Sequence, residues 1–321
     1  MELIAVCDSK TNTAPDFPMG WWSLARSHEL QVGEVKAVSA LDRDLVLYRT
    51  RSGAVRVHDA YCPHLGANLG INGRVVGESI QCPFHGWQFG ADGACQHIPY
   101  CEDIPARAKV NNWPTSEVNG EIYMWFHPTG EAPMWEVPVI EQLQDASWTA
   151  PRQVEFTIPT HIQDIAENSC DPEHFQYVHK QNETPPSSVT VEDDGAVHLH
   201  ADMNANGIPG HLHATMFQPG LARVQTSYGP GAEMIVYNSA QPITQNETLL
   251  RWTLTVCKDI EDLAGDAVMN GIIDGLQDDY PIWKHKVHRK QPIFCKGDET
   301  LVLFRKWVRR FYLETSPRGQ Q

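Results

Sequence analysis

Two short segments, Cys62-Pro63-His64 and Cys82-Pro83-Phe84-His85, constrain this chain more than any other feature. They place two thiols and two imidazoles in the pattern Cys-x-His-x17-Cys-x2-His. Each segment offers one ligand of each kind and runs on into a glycine, Gly66 and Gly86. Proline and glycine together suit a tight turn whose backbone N–H groups point inward. A fold that serves this pattern must hold two loop tips face to face.

Two cysteines on one iron and two histidines on the other are the ligand set of a Rieske [2Fe–2S] centre, in which neutral imidazole raises the reduction potential above that of an all-cysteine cluster. Cysteine and histidine also bind structural zinc, but zinc fingers usually pair Cys near Cys and His near His. The mixed loops favour the cluster. At this point the chain resembles the Rieske iron–sulfur proteins, and CPFHGW in particular is similar to the second ligand loop of their oxygenase branch.

The surrounding sequence reads as short strands, EVKAVSA, DLVLYRT, AVRVHDAYC, ESIQCPF and EIYMWFH, separated by turn signals. At 321 residues the chain exceeds what one core usually serves. Two domains are expected: residues 1–130, an all-β domain carrying the cluster loops after an N-terminal extension, and residues 131–321. A proline-containing crossing segment over about 128–150 precedes a helix in HIQDIAENSCDPEHFQYVHKQ, which Pro172 should kink or break. Strand-like stretches follow, and a long helical pattern runs from about Asp259 to His288. The fold class is α+β, with the second domain a helix-grip, an antiparallel sheet around a long helix with an apolar pocket between them.

Within the helical segment, His174 and His179 are five residues apart, about 140° out of register on a continuous helix. A break near Pro172 would let both reach one metal, and a later carboxylate would complete a facial triad on non-haem Fe(II) with open positions for dioxygen. Asn168, Asp171, His174 and His179 form Asn-x-x-Asp-x-x-His-x4-His, which closely resembles the mononuclear iron motif of Rieske non-haem iron oxygenases. That resemblance covers nearly the whole chain. It implies His174, His179 and Asp279 as iron ligands, and Asp171 with Asn168 as catalytic residues beside them. Asp171 would bridge His174 to the cluster ligand His85 of a neighbouring subunit. Asp279 fits the family's Asp-x3-Trp spacing through Trp283, with Lys286 following, while Gln277-Asp278 gives a competing register.

The same resemblance implies a terminal monooxygenase component that activates O2 to hydroxylate, demethylate or desaturate an apolar small molecule. It implies a head-to-tail homotrimer in which the cluster of one chain serves the iron of the next. The texture of the second half is most similar to the steroid and sterol branch, ketosteroid 9α-hydroxylases and cholesterol 7-desaturases. Ile208, Met216, Phe217, Met234, Ile235 and Tyr237 are candidates to line the pocket. The polar end, Thr315–Gln321, suggests a reduced C-terminal cap.

Neither a Gly-x-Gly-x-x-Gly fingerprint nor a four-cysteine ferredoxin motif is evident, so electrons are expected from NAD(P)H through a separate reductase, alone or with a ferredoxin. Two basic runs, Lys284–Lys290 and Arg305–Arg310, are either docking sites for an acidic donor or solvated helix faces. A formal net charge of −15 argues against nucleic acid as a partner. No apolar run is long enough to span a bilayer and MELIAVCDSKTNTAPDF lacks a signal peptide's features, so a cytoplasmic location is expected. The other six cysteines, Cys7, Cys95, Cys101, Cys170, Cys257 and Cys295, are expected to be free thiols. An electron carrier fused to a ligand-binding domain predicts function without His174. A redox sensor would add a signalling module that is not evident.

Overall fold

The computed structural model describes residues 16–180, 182–205 and 207–312, without the side chains of residues 205, 262–269 and 276. The N-terminal segment with Cys7 and the tail Thr315–Gln321 lie outside the described residues. The strands in chain order are β1 (Gly20–Arg26), β2 (Val35–Ala40), β3 (Arg43–Arg49), β4 (Val55–Asp59), β5 (Arg74–Val76), β6 (Ser79–Gln81), β7 (Gln88–Phe89), β8 (Cys95–His97), β9 (Asn112–Trp113), β10 (Thr115–Val118) and β11 (Glu121–Phe126). Then come β12 (Arg152–Ile158), β13 (Ser187–Val191), β14 (Val197–Ala205), β15 (Ile208–Gln218), β16 (Leu221–Ser227), β17 (Glu233–Thr244) and β18 (Glu247–Val256). Four α-helices are described: α1 (Ile162–Ala166), α2 (His174–Tyr177), α3 (Lys258–His285) and α4 (Glu299–Val308).

The first eleven strands make three small antiparallel sheets, β1-β11-β10, β2-β3-β4-β9 and β5-β6-β7-β8. The last seven make one antiparallel sheet in the order β12-β18-β17-β16-β15-β14-β13, with α3 running alongside. This is the α+β arrangement expected. The strand β1 is absent from the sequence reading because GWWSLAR is buried at every position and therefore shows no alternation.

The small sheets and the large one share a core. Trp22, Leu24, Leu45, Leu47 and Ile122 pack in one cluster with Ile158, Ile162, Ile165, Leu250 and Trp283. A buried polar seam runs beside it. Arg26 reaches Glu121 Oε1 at 3.3 Å, Thr253 Oγ1 at 3.1 Å and the Val154 carbonyl at 3.3 Å. Arg251 donates to the Ser23 carbonyl at 3.1 Å and to Gln241 Oε1 at 2.8 Å. Ser239 and Tyr123 both donate to Glu121 Oε2, and the Tyr123 and Tyr237 hydroxyls lie 2.8 Å apart. Buried polar groups are tolerated when each finds a partner.

Two readings are corrected here. The sequence reading named no helix between His288 and the polar tail. Phe304, Trp307, Val308 and Phe311, spaced as one face of a helix, bury α4 and the turn after it against Ala166, Cys170, Val197, Met216 and Ala222. The basic runs also turn partly inward: Lys286 and His288 meet Asp164, Arg305 pairs with Glu167, and Arg310 lies over Trp307 and donates to the Gly195 carbonyl.

Candidate active site

The two cysteine–histidine loops are near copies of each other. In the first, the Cys62 N–H donates to the Ala67 carbonyl at 2.9 Å and the Gly66 N–H to the Cys62 carbonyl at 3.0 Å. In the second, Cys82 N–H bonds the Trp87 carbonyl at 2.8 Å and Gly86 N–H the Cys82 carbonyl at 3.1 Å. Gly66 and Gly86 have φ of +75° and +74°, the left-handed region that only glycine occupies without strain. The repeated turn brings the loops together, with the His64 and His85 rings 4.6 Å apart and His64 stacked on Trp87 at 4.7 Å.

The residues present fit a cluster. Among the described residues, His64 Nδ1 is buried with no hydrogen-bond partner. Cys62 and Cys82 are both buried in the same small core. Burial, with the nearby Cys82 sulfur adding to it, pushes the Cys62 thiol up to about 12, so without a cation it keeps its proton. At the loop tips Leu65, Phe84 and Tyr100 are 64%, 61% and 62% exposed, an apolar rim around the histidine edge.

The second constellation depends on a broken helix. The α1 helix passes into a 3-10 turn over Glu167–Cys170, and the chain leaves helical geometry at Asp171 (φ −116°, ψ 86°), just before Pro172. His174 opens the four-residue α2, and His179 lies beyond its end. Their rings come within 5.1 Å of each other although a continuous helix would splay them. Asp279 of α3 closes the triangle, with His174 Nε2 at 3.8 Å and His179 Nε2 at 3.5 Å from its carboxylate. These separations are slightly wider than the roughly 3 Å between adjacent ligands of an octahedral ion at about 2.1 Å. One ion can therefore draw all three together.

Between the two candidate registers, Asp279 is 6% exposed and faces the histidines, whereas Asp278 is exposed, although it reaches the cavity edge. The His174 Nδ1–H is donated to the main-chain carbonyl of Asp171, which fixes the tautomer and leaves Nε2 as the lone pair. Within the chain, then, it is the carbonyl of Asp171 that meets the His174 ring, while its carboxylate faces the His174 and Glu173 main-chain N–H groups. Burial raises the Asp171 carboxyl above its usual range, against the lowering influence of His174 and of the N–H groups of His174 and Glu173. The Asn168 amide nitrogen lies 3.2 Å from His174 Nε2.

These groups stand at the wall of a cavity of about 630 Å³, lined by Leu199, Met203, Leu212, Met216, Met234 and Val236 among others. Of the six lining residues expected from sequence, Met216 and Met234 do line it. Phe217, Ile235 and Tyr237 instead pack on the opposite face with Trp21 and Tyr123, and Ile208 is 57% exposed. Alternation along a strand sends neighbours to opposite faces, and the reading mixed the two parities. Sequence reasoning also missed Asn238 and Trp252, direct cross-strand partners on β17 and β18 that face the cavity. Among the described residues, Asn238 Oδ1 and Trp252 Nε1 are buried polar atoms with no hydrogen-bond partner.

Sequence reasoning missed Asp164 as well. It is 2% exposed, 3.0 Å from His288 Nδ1 and 3.4 Å from Lys286 Nζ, with His161 close by. The lysine ammonium supplies the positive charge there, so the group works as an ionic clamp between α1 and the chain leaving α3.

Comparison with known proteins agrees with this geometry. Residues 20–114 match the Rieske [2Fe-2S] domain and residues 124–312 match the 3-ketosteroid 9alpha-hydroxylase C-terminal domain. The chain is 34% identical to a cholesterol 7-desaturase of Caenorhabditis elegans, over 95% of this chain and 79% of that protein. It is 29% identical to the oxygenase component of 3-ketosteroid-9-alpha-monooxygenase of Rhodococcus rhodochrous, over 94% and 84%. Among solved structures, NdmB of Pseudomonas putida CBB5 superposes with a TM-score of 0.77 at 20% identity, covering 90% of this chain and 89% of that one. Dicamba monooxygenase bound to dicamba gives 0.73 at 20% identity, covering 92% and 97%. Among the described residues no helix is long and apolar enough to cross a membrane. Twin cluster loops upstream of a two-histidine, one-carboxylate pocket, together with both family matches, make this chain a member of the Rieske non-haem iron oxygenases, oxidoreductases that combine a [2Fe–2S] cluster with a mononuclear iron and draw electrons for O2 from NAD(P)H through a reductase.

Proposed function

We propose that the protein oxidises a steroid- or sterol-like molecule, an apolar ring system bearing one oxygen function, by hydroxylation, demethylation or desaturation. Cys62, His64, Cys82 and His85 hold the cluster, and His174, His179 and Asp279 hold Fe(II). The boundary between the domains they serve lies near residue 130. The observation that carries this reading is the convergence of His174, His179 and Asp279 on the wall of one apolar cavity. Its volume of about 630 Å³ lies within the range of small-molecule sites.

When bound, the mononuclear iron would supply O2 activation and the cluster a further electron. The chain's own residues do the rest. Asp171 holds His174 in the tautomer that offers Nε2 to the metal. Asn168 stands beside that nitrogen, where its amide can hydrogen-bond a group arriving at the open side. Apolar walls exclude water from the reacting carbon. Trp252 N–H can donate to a substrate hydroxyl oxygen while Asn238 accepts the hydroxyl proton, and a substrate ketone can accept from both side chains. Leaving both groups unpaired in a dry pocket is unfavourable, so a molecule lacking that oxygen is rejected.

Asp171 is partly exposed, Tyr177 of the following α2 is 79% exposed, and the cluster tip carries an apolar rim. These surfaces suit a head-to-tail ring in which the His85 edge of one copy meets Asp171 of the next, and a trimer is the simplest closure. Electrons reach the cluster from a reductase, with or without a ferredoxin, in the cytoplasm. The decisive experiment counts iron and acid-labile sulfide in anaerobically purified protein. About three irons and two sulfides per chain, falling to two and two in His174→Ala, fit the assignment. Two irons in both proteins after iron loading overturn it, and a sterol and ketosteroid panel under O2 then tests the substrate.

A further inference from the structure

The face of the large sheet turned away from the cavity carries four imidazoles that the oxygenase chemistry does not use. Side chains alternate along β14 and β15. Leu199, Met203, Leu212, Ala214 and Met216 line the cavity, so His198, His200, His211, His213 and Thr215 stand on the other side. Register sets His200 opposite His213 and His198 opposite Thr215. His198 Nδ1 lies 3.0 Å from His213 Nε2, and Thr215 Oγ1 lies 3.4 Å from each of those nitrogens. His198 is 7% exposed and Thr215 5%.

Three donor atoms thus form a triangle with edges of 3.0, 3.4 and 3.4 Å. Ligands at 2.0–2.1 Å from a tetrahedral zinc ion stand roughly 3.3 Å apart, so the triangle has the size of one face of that tetrahedron. The fourth vertex is left for water. Behind it, Asp194 Oδ2 is 3.2 Å from His198 Nε2 and Glu192 Oε2 is 3.8 Å away. A carboxylate on the outer nitrogen holds the ring so that Nδ1 presents its lone pair inward. Arg223, the cross-strand partner of Thr215, is engaged with Gln225, and Glu233 is the carboxylate that offsets its charge. The second pair, His200 Nδ1 and His211 Nε2 at 3.1 Å, is more exposed, and Asp202 approaches it only on the other nitrogen of His211, at 3.7 Å.

We propose that His198, His213 and Thr215 form a binding site for a zinc-class divalent ion, held on the outer face of the catalytic sheet and separate from both iron centres. Two rigid strands fix the donors before the ion arrives.

The holoprotein, with cluster and iron in place, is titrated with zinc(II), desalted, and its zinc and iron counted per chain. Zinc-edge X-ray absorption then reads the ligands. One zinc is gained with no iron lost, and its shell contains two imidazoles. His213→Ala no longer retains zinc, and Asp194→Asn, a change at an exposed position, weakens binding by roughly tenfold. Thr215→Val keeps the side-chain shape and removes one oxygen from the shell. His174→Ala, which removes an iron ligand, keeps the zinc. Cluster absorption and the unfolding temperature confirm that each variant is folded. If wild type retains no zinc, if zinc enters only as iron leaves, or if His213→Ala and Asp194→Asn bind it as wild type does, the site does not exist.

Discussion

The cluster loops and the iron site solve the same problem, convergence of four or three ligands, by opposite means. The cluster loops are local. Each loop closes on itself through two backbone hydrogen bonds and one left-handed glycine, and twenty residues separate the equivalent cysteines. The iron site is remote: His174 and Asp279 lie 105 residues apart, on elements joined only through tertiary packing and the Asp164 clamp. The difference teaches that the first centre depends on turn chemistry and the second on the relation between two helices.

Variants can break that contrast. The largest effect is expected from His174→Ala and Asp279→Ala, which take turnover to background while the cluster's visible absorption and midpoint potential stay as in wild type. If the spectrum collapses with them, the centres are not independent. Next, Asp164→Ala removes the buried carboxylate shared by Lys286 and His288 and costs about 1–3 kcal/mol, read from denaturant unfolding. It should lower bound mononuclear iron and leave the two cluster irons in place, because only the remote site relies on the clamp.

Acid probes the same clamp. Burial tends to raise the Asp164 carboxyl, but its hydrogen bond from His288 and the Lys286 charge outweigh this and hold it below the usual carboxylate value. A depressed folded value means that its contribution is fully present above about pH 3.9 and is lost as pH falls through the folded value. Stability curves of wild type and Asp164→Asn should therefore converge below about pH 4. Parallel curves would show that the clamp does not titrate.

Within the local centre, a smaller asymmetry is expected. Gly86→Ala and Gly66→Ala each force an alanine into the left-handed region at about 1–2 kcal/mol. Only at Gly86 would the new methyl also meet Pro99 Cγ, at 2.9 Å, while Gly66 faces open space. Thermal unfolding should rank Gly86→Ala below Gly66→Ala. The smallest effect is expected at Asn238→Ala, which raises KM for an oxygen-bearing steroid by roughly tenfold, the worth of one neutral hydrogen bond, with little change in kcat. Equal KM values would remove Asn238 from substrate recognition.

What the sequence disclosed follows the same division. The cluster loops could be read because their ligands, prolines and glycines are contiguous. The histidine pair could be read as a motif, and the spacing from Asp279 to Trp283 already favoured Asp279 over Asp278; the face of α3 adds that Asp279 is the one buried beside the histidines. Asp164 was invisible because its partners lie more than 120 residues away. The helix α4 was missed although Phe304, Trp307, Val308 and Phe311 carried a readable three- and four-residue spacing. Pocket residues were misassigned where parity along β15 and β17 decided the matter.

The polar seam between β1, β11 and the large sheet has a consequence for how such a protein can change over generations. Arg26 draws its partners from β11, β12 and β18, and Arg251 from β1 and β17. A recombination event that exchanged the cluster-bearing half alone would leave a guanidinium buried opposite strangers. A chimaera that keeps both guanidinium groups must therefore bring their partners on both sides of the seam.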